Sequence, residues 1–185
     1  MNEHIAMLER EIHSLKAKLA EARRGAQVEP ARDYTLKTPD SADVLLSDLF
    51  GEKRDLLVVH NMGKSCPYCT LWADGFSSSA GHLNSRASFV LCSFDDPKTV
   101  KEFSESRGWN YQCVANADDF AEDMGFTKDG KPWPGVSAFH LEDDGSIVRT
   151  GKAFFGPGDD FCAVWHFFDL LKDGAGDWKP KYEYS

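Results

Sequence analysis

The chain has 185 residues and a net charge of −9, with 42% hydrophobic and 28% charged residues. That length suits one domain of ordinary size plus an extra element, and the balance suits a folded chain with a real core. The acidity argues against nucleic acid or an anionic membrane surface as the main partner. No apolar run approaches the ~18 residues of a membrane span. The start Met1-Asn2-Glu3-His4 lacks a basic, apolar secretory signal, so the expected location is the cytoplasm.

Residues 3–24 read as one helix. Ile5, Leu8, Ile12, Leu15 and Leu19 recur at steps of three and four. This is a heptad seam, with Ile5, Ile12 and Leu19 at a and Leu8, Leu15 and Ala22 at d, a pattern that favours a parallel two-stranded coiled coil. Glu11 and Lys16 would attract across such a homodimer, whereas Lys18 and Arg23 would repel. The seam is too short to hold a dimer firmly alone, and the same stripe could lie on the helix's own domain. Gly25 to Ala31 reads as a linker, with Gly25 and Pro30 as breakers. The division expected is therefore a helix over 1–26 and a folded domain over 27–185.

Within that domain, Tyr34 to Leu36 starts a short strand, and Leu45 to Phe50 is an apolar segment closed by Gly51. Leu56 to His60 is the first buried strand. A helix from Pro67 to about Phe76 follows, and then a second buried strand, Ala87 to Phe94. Pro97 to Arg107 reads as a helix ending at Gly108, Asn110 to Ala115 as a strand, and Asp118 to Met124 as a short helix ending at Gly125. Val136 to Leu141 and Ile147 to Thr150 flank Glu142-Asp143-Asp144-Gly145, a strong hairpin signal. Asp159 or Asp160 would cap a last helix running to Leu171. Helices between strands imply an α/β fold, a central mixed sheet with parallel pairs flanked by helices.

Chemistry concentrates in Cys66-Pro67-Tyr68-Cys69. Cys66 falls at the junction of the first buried strand and its helix, at the N-cap, where N–H groups and the helix dipole favour a thiolate. Pro67 suits the first helical position. Five cysteines rule out a complete set of internal disulfides. In a reducing compartment a CxxC beside a β-α pattern reads as redox or metal chemistry.

The order of elements, with CxxC after the first buried strand, resembles the thioredoxin-like superfamily. The strings Cys66-Pro67-Tyr68-Cys69-Thr70-Leu71-Trp72-Ala73-Asp74-Gly75-Phe76 and Gly135-Val136-Ser137-Ala138-Phe139 resemble a narrower group within it, domain of unknown function 899 (DUF899). The resemblance implies a thioredoxin-like fold and, by analogy, thiol–disulfide exchange. It departs from thioredoxins proper at three places. Ser65 stands where they carry tryptophan. Val136, or Ser137 with a one-residue slip, stands where they carry a cis-proline that docks substrate. His60 stands where they carry a buried acid that takes the second cysteine's proton. The PxxxTxxC motif of peroxiredoxins is absent.

The leading expectation is a thiol–disulfide oxidoreductase. Cys66 attacks a disulfide, Cys69 resolves the mixed disulfide, and an unknown reductant resets the pair. His60 would accept the Cys69 proton or simply end a strand. Pro67, Tyr68, Val136 and Ser137 would border the substrate cleft. The substrate could be a protein or a small molecule, and no cofactor is expected. In a second reading the CxxC with Cys162 and His166, four apart on the expected last helix, holds a metal. In a third, the N-terminal helix is the working part and the CxxC is vestigial. Cys92 reads as inert core, and Cys113 could be core or a further thiol in the chemistry.

Overall fold

A computed structural model describes residues 2–117 and 119–184. It is a mixed α/β structure with an eight-stranded central sheet. Helix α1 (Glu3–Arg24) leads into the edge strand β1 (Glu29–Ala31), the small antiparallel pair β2 (Thr35–Lys37) and β3 (Asp43–Leu45), and a single 3-10 turn at Ser47–Phe50. The central strands are β4 (Asp55–Asn61), β5 (Ser88–Ser93) and β6 (Gln112–Ala115), joined through helices α2 (Pro67–Arg86) and α3 (Pro97–Arg107). Short helix α4 (Phe120–Asp123) precedes a two-stranded arm, β7 (Thr127–Lys128) and β8 (Lys131–Pro132). The long hairpin β9 (Gly135–Leu141) and β10 (Ile147–Phe154) and helix α5 (Ala163–Phe168) complete the set.

The sheet runs β1-β10-β9-β4-β5-β6-β2-β3. β4, β5 and β6 are parallel, as their helical crossovers require. β9 runs antiparallel to β4 and places Gly135 opposite His60, Val136 opposite Val59 and Ser137 opposite Val58. Successive side chains on a strand point to opposite faces, and two cores result. Leu56, Val58, Val90, Cys92 and Val114 face Phe50, Phe120, Phe126 and Phe139 on one side. Val59, Leu91, Cys113 and Ala115 face Trp72, Phe76, Val100, Phe155 and Trp165 on the other, beneath α2, α3 and α5.

Local signals explain the element ends. Asn2 caps α1, Cys66 caps α2, and Asp96 caps α3 by accepting the Thr99 N–H at 3.0 Å. α3 stops on Gly108 in the left-handed region. The Pro97–Arg107 helix matches its expected bounds, while α2 runs ten residues past the expected Phe76. The expected linker is shorter than the sequence implies. Glu29–Ala31 is a strand, tied to β10 by an ion pair between Glu29 and the buried Arg149. The last helix is also shorter, beginning at Ala163 and ending at Phe168. Asp118, the expected start of the fourth helix, lies outside the described residues.

α1 stands apart from both cores. None of its residues is buried, and Ile5, Ile12, Leu15 and Leu19 remain about half exposed. Its link to the domain is a contact with β10 and the exposed Lys16–Asp160 pair at 2.6 Å. No helix among the described residues is long and apolar enough to cross a membrane.

A candidate thiol site at the start of the second helix

β4 delivers the chain to α2 through the turn Met62–Ser65, and two polar side chains hold that turn. The buried Asn61 accepts the Gly63 N–H through Oδ1 at 2.7 Å, and its Nδ2 reaches the Cys69 carbonyl at 3.4 Å. Asp95, two residues past β5, accepts the Lys64 N–H at 2.6 Å. Gly63 has φ +102, and a Cβ there would lie 2.6 Å from Asp95 Oδ1, so only glycine fits. Neither Asn61 nor Asp95 stands out in the sequence, because neither belongs to a local motif.

Cys66 then caps α2, with Pro67 in the first turn, as the sequence implies. Its half-buried sulfur accepts the Cys69 N–H at 3.1 Å. The two cysteines are only 2.8 Å apart and unbonded, and Cys69 is buried behind Cys66. The Cys69 thiol donates to Cys66, and the N–H groups of Cys69 and Tyr68 add to it. These outweigh partial burial and lower the Cys66 thiol from 9.0 to about 7. The same hydrogen bond, with burial, raises Cys69 strongly. Burial also raises Cys92, Cys113 (to about 12) and Cys162. Of the five cysteines, Cys66 alone has its thiol lowered.

Cys66 and Tyr68 form part of the wall of a pocket of about 600 Å³. Its buried inner surface is Trp72, Phe155 and Pro134, and the arm carrying Lys128, Lys131 and Trp133 forms another wall. That arm turns on Asp129-Gly130, both with positive φ, as a two-residue hairpin requires.

Other expected site residues lie elsewhere. Pro67 is at the helix start but not in the pocket lining. Val136 and Ser137 are also outside it, and Pro134 is the residue of this stretch that reaches the pocket. β9 explains the difference. Val136 points toward Leu57 and Phe161, and Ser137 toward the opposite core, so the approach to Cys66 falls two residues before Val136, just ahead of the strand.

His60 sits on the other side of the sheet from Cys69. Its ring stacks on Phe126 at 3.8 Å between centroids, and its Nε2 meets Ser137 Oγ at 3.0 Å. Burial, with the nearby Arg149 cation, lowers it to about 3, so it stays neutral. Strand parity removes it as a proton acceptor for Cys69. The proposed metal set is not assembled either. Cys162 is the extended N-cap of α5 rather than a helical residue, so it does not share a helix face with His166. No three His, Cys, Asp or Glu side chains among the described residues could hold one ion.

The family model described as bacterial protein of unknown function (DUF899) matches residues 1–184, and the chain belongs to that family. No curated protein matches the sequence. Among solved structures, the chain is similar to reduced Prx3 in complex with H2O2 from Vibrio vulnificus, with TM-score 0.57, 18% identity and coverage of 72% of this chain and 90% of that one. It is also similar to peroxidoxin BcpB from Mycobacterium tuberculosis, with TM-score 0.53, 23% identity and coverage of 65% and 80%. A peroxiredoxin-like protein from Aquifex aeolicus gives TM-score 0.54 at 16% identity, covering 69% and 74%. At these identities the likeness is one of fold, and the fold is thioredoxin-like.

Proposed function

We propose that this DUF899 member is a thiol–disulfide oxidoreductase working through Cys66 and Cys69. One observation carries the reading. A cysteine lowered to about 7 caps a helix at the mouth of a pocket, with a second, protonated cysteine directly behind it. At neutral pH a substantial share of Cys66 is thiolate, the form that attacks disulfides.

The Cys66 thiolate attacks one sulfur of a substrate disulfide. The substrate S–S bond breaks, its other half leaves as a thiolate, and a mixed disulfide forms at Cys66. Cys69 then loses its proton and attacks Cys66, releasing the second half of the substrate. The departing thiolate is the acceptor for that proton, since His60 lies across the sheet. The substrate gains two electrons, the pair closes as Cys66–Cys69, and a dithiol reductant resets it. Such cycling suits a reducing compartment such as the cytoplasm. The acidity of the chain argues against nucleic acid as a partner in this scheme. Peroxide reduction, suggested by the peroxiredoxin-like neighbours, finds no PxxxTxxC motif here.

The exposed seam of α1 supports pairing of two copies through residues 3–24, which would place this helix in a dimer and leave 27–185 as the working domain.

Redox titration in glutathione buffers, read by thiol counting, tests the central claim. One reversible disulfide is expected in the parent and none in Cys66→Ser or Cys69→Ser. Cys69→Ser should also trap a mixed disulfide. A pair that forms no reversible disulfide at any buffered potential sinks the reading.

A further inference from the structure

We infer that the disulfide taken by this site is a small apolar or aromatic molecule bearing a negative charge, and not an extended peptide; the inference rests on the redox reading above. Three observations carry it. The first is the size and lining of the pocket. The pocket beside Cys66 measures about 600 Å³, within the range of small-molecule sites. Trp72, Trp133, Tyr68 and Phe155 line it, so a bound aromatic group would find rings to pack against.

The second is charge. Lys128 and Lys131 stand exposed on the arm at the rim with one acid, Asp129, between them. Among the described residues no carboxylate forms an ion pair with either lysine. Lys128 Nζ instead lies 5.2 Å from the Trp133 ring centroid. In a chain of net charge −9, this is a local positive spot beside an aromatic wall.

The third is the backbone. A peptide docks on an exposed strand by exchanging main-chain hydrogen bonds. The segment facing Cys66 has none to offer as donors. Pro132 and Pro134 lack N–H groups, and the Trp133 N–H is given to the Phe126 carbonyl at 2.8 Å. The Pro134 carbonyl already accepts the Phe155 N–H at 3.0 Å. Across the pocket, the Gly156 N–H is taken by Asp159 at 2.9 Å.

In the step implied, Cys66 bonds to one sulfur of the small disulfide, and the other sulfur leaves as a charged aromatic or alkyl thiolate. Cys69 completes the two-electron transfer as above.

The test compares three probes in single-turnover reactions of the reduced full chain. They are dithiobis-nitrobenzoate (aromatic, dianionic), dithiodipyridine (aromatic, neutral) and an unstructured peptide closed by one disulfide. Each rate is corrected with Cys66→Ser and divided by the rate of free glutathione with the same probe. The expected order is dianion, neutral aromatic, peptide. In Lys128→Ala/Lys131→Ala, both exposed substitutions, the dianion-to-neutral ratio should fall by roughly five- to tenfold, the effect of two partly screened charges. Trp133→Ala should slow both aromatic probes relative to the peptide. A normalised peptide rate equal to or above the aromatic ones overturns the inference, as does an unchanged ratio in the lysine variant. If the pair cycles in glutathione buffers but prefers the peptide, only this inference fails. If it does not cycle, the redox reading itself fails.

Discussion

Cys66 owes its lowered thiol to a neighbouring thiol and to backbone N–H groups, and the two sources can be separated. The rate of alkylation by iodoacetamide should rise with pH through a midpoint near 7 in the parent. Cys69→Ala removes the first of its causes and should move the midpoint toward an unperturbed ~8.5; a midpoint that stays put would contradict the shared proton. This much of the site was legible, because the cap, the proline at the helix start and the strand before it are neighbours in sequence. The environment of His60 was not. It depends on strand parity and on Gly135 across β9, where a Cβ would run into the Phe126 ring and the Ala153 carbonyl. Burial and the nearby Arg149 cation hold His60 far below its ordinary 6.5, at about 3, in the folded chain. Between those values the unfolded chain binds a proton that the folded chain refuses, so His60 makes stability fall as pH falls. Urea midpoints should therefore drop more steeply on acidification in the parent than in His60→Leu/Ser137→Ala. The double substitution avoids stranding the Ser137 hydroxyl, which alone would cost about 1–3 kcal/mol.

The turn that presents Cys66 and the arm that faces it differ in how strongly the sequence announces them. α3 was readable end to end because Asp96, Pro97 and Gly108 each act within a turn of the helix. The β7–β8 arm carries an Asp129-Gly130 signal, yet Thr127-Lys128 and Lys131-Pro132 around it are polar or conformationally restricted. Without apolar runs, the usual mark of a hairpin is missing, and nothing local in the sequence marks Trp133 as an exposed wall rather than core or edge packing. The turn at Gly63 is decided by a long-range partner, Asp95, which no local pattern reveals. Gly63→Ala combines a strained φ of +102 with a collision against that carboxylate. It should cost about 2–3 kcal/mol in chemical denaturation. It should also raise the Cys66 alkylation midpoint, as the helix start is pushed out of line. A loss of stability with an unmoved midpoint would show that the turn does not set the thiol's position.

At the scale of the molecule, the mixed sheet with its parallel pairs followed from alternating strands and helices, whereas its strand order did not, and the edge strand β1 hid inside an apparent linker because it is three residues long. The buried Arg149 that anchors it gains its meaning only from the fold. Residues 3–24 contribute no buried side chain, so a chain lacking 1–24 should keep its melting temperature and lose only the helical circular dichroism of α1. If α1 joins two copies, sedimentation should show the parent as a dimer and the shortened chain as a monomer; a shortened chain that is still a dimer would place the contact elsewhere. The partition of the interior has one more use. The sheet stores an unreactive sulfur in each compartment, Cys92 in one and Cys113 in the other. Pulse labelling in rising urea, in a Cys66→Ser/Cys69→Ser/Cys162→Ser background, would let each sulfur report when its own side first admits reagent. Coincident labelling would mark a single cooperative unit. Early labelling at Cys113 would show the helical side, and with it the reactive edge, loosening while the other half still holds.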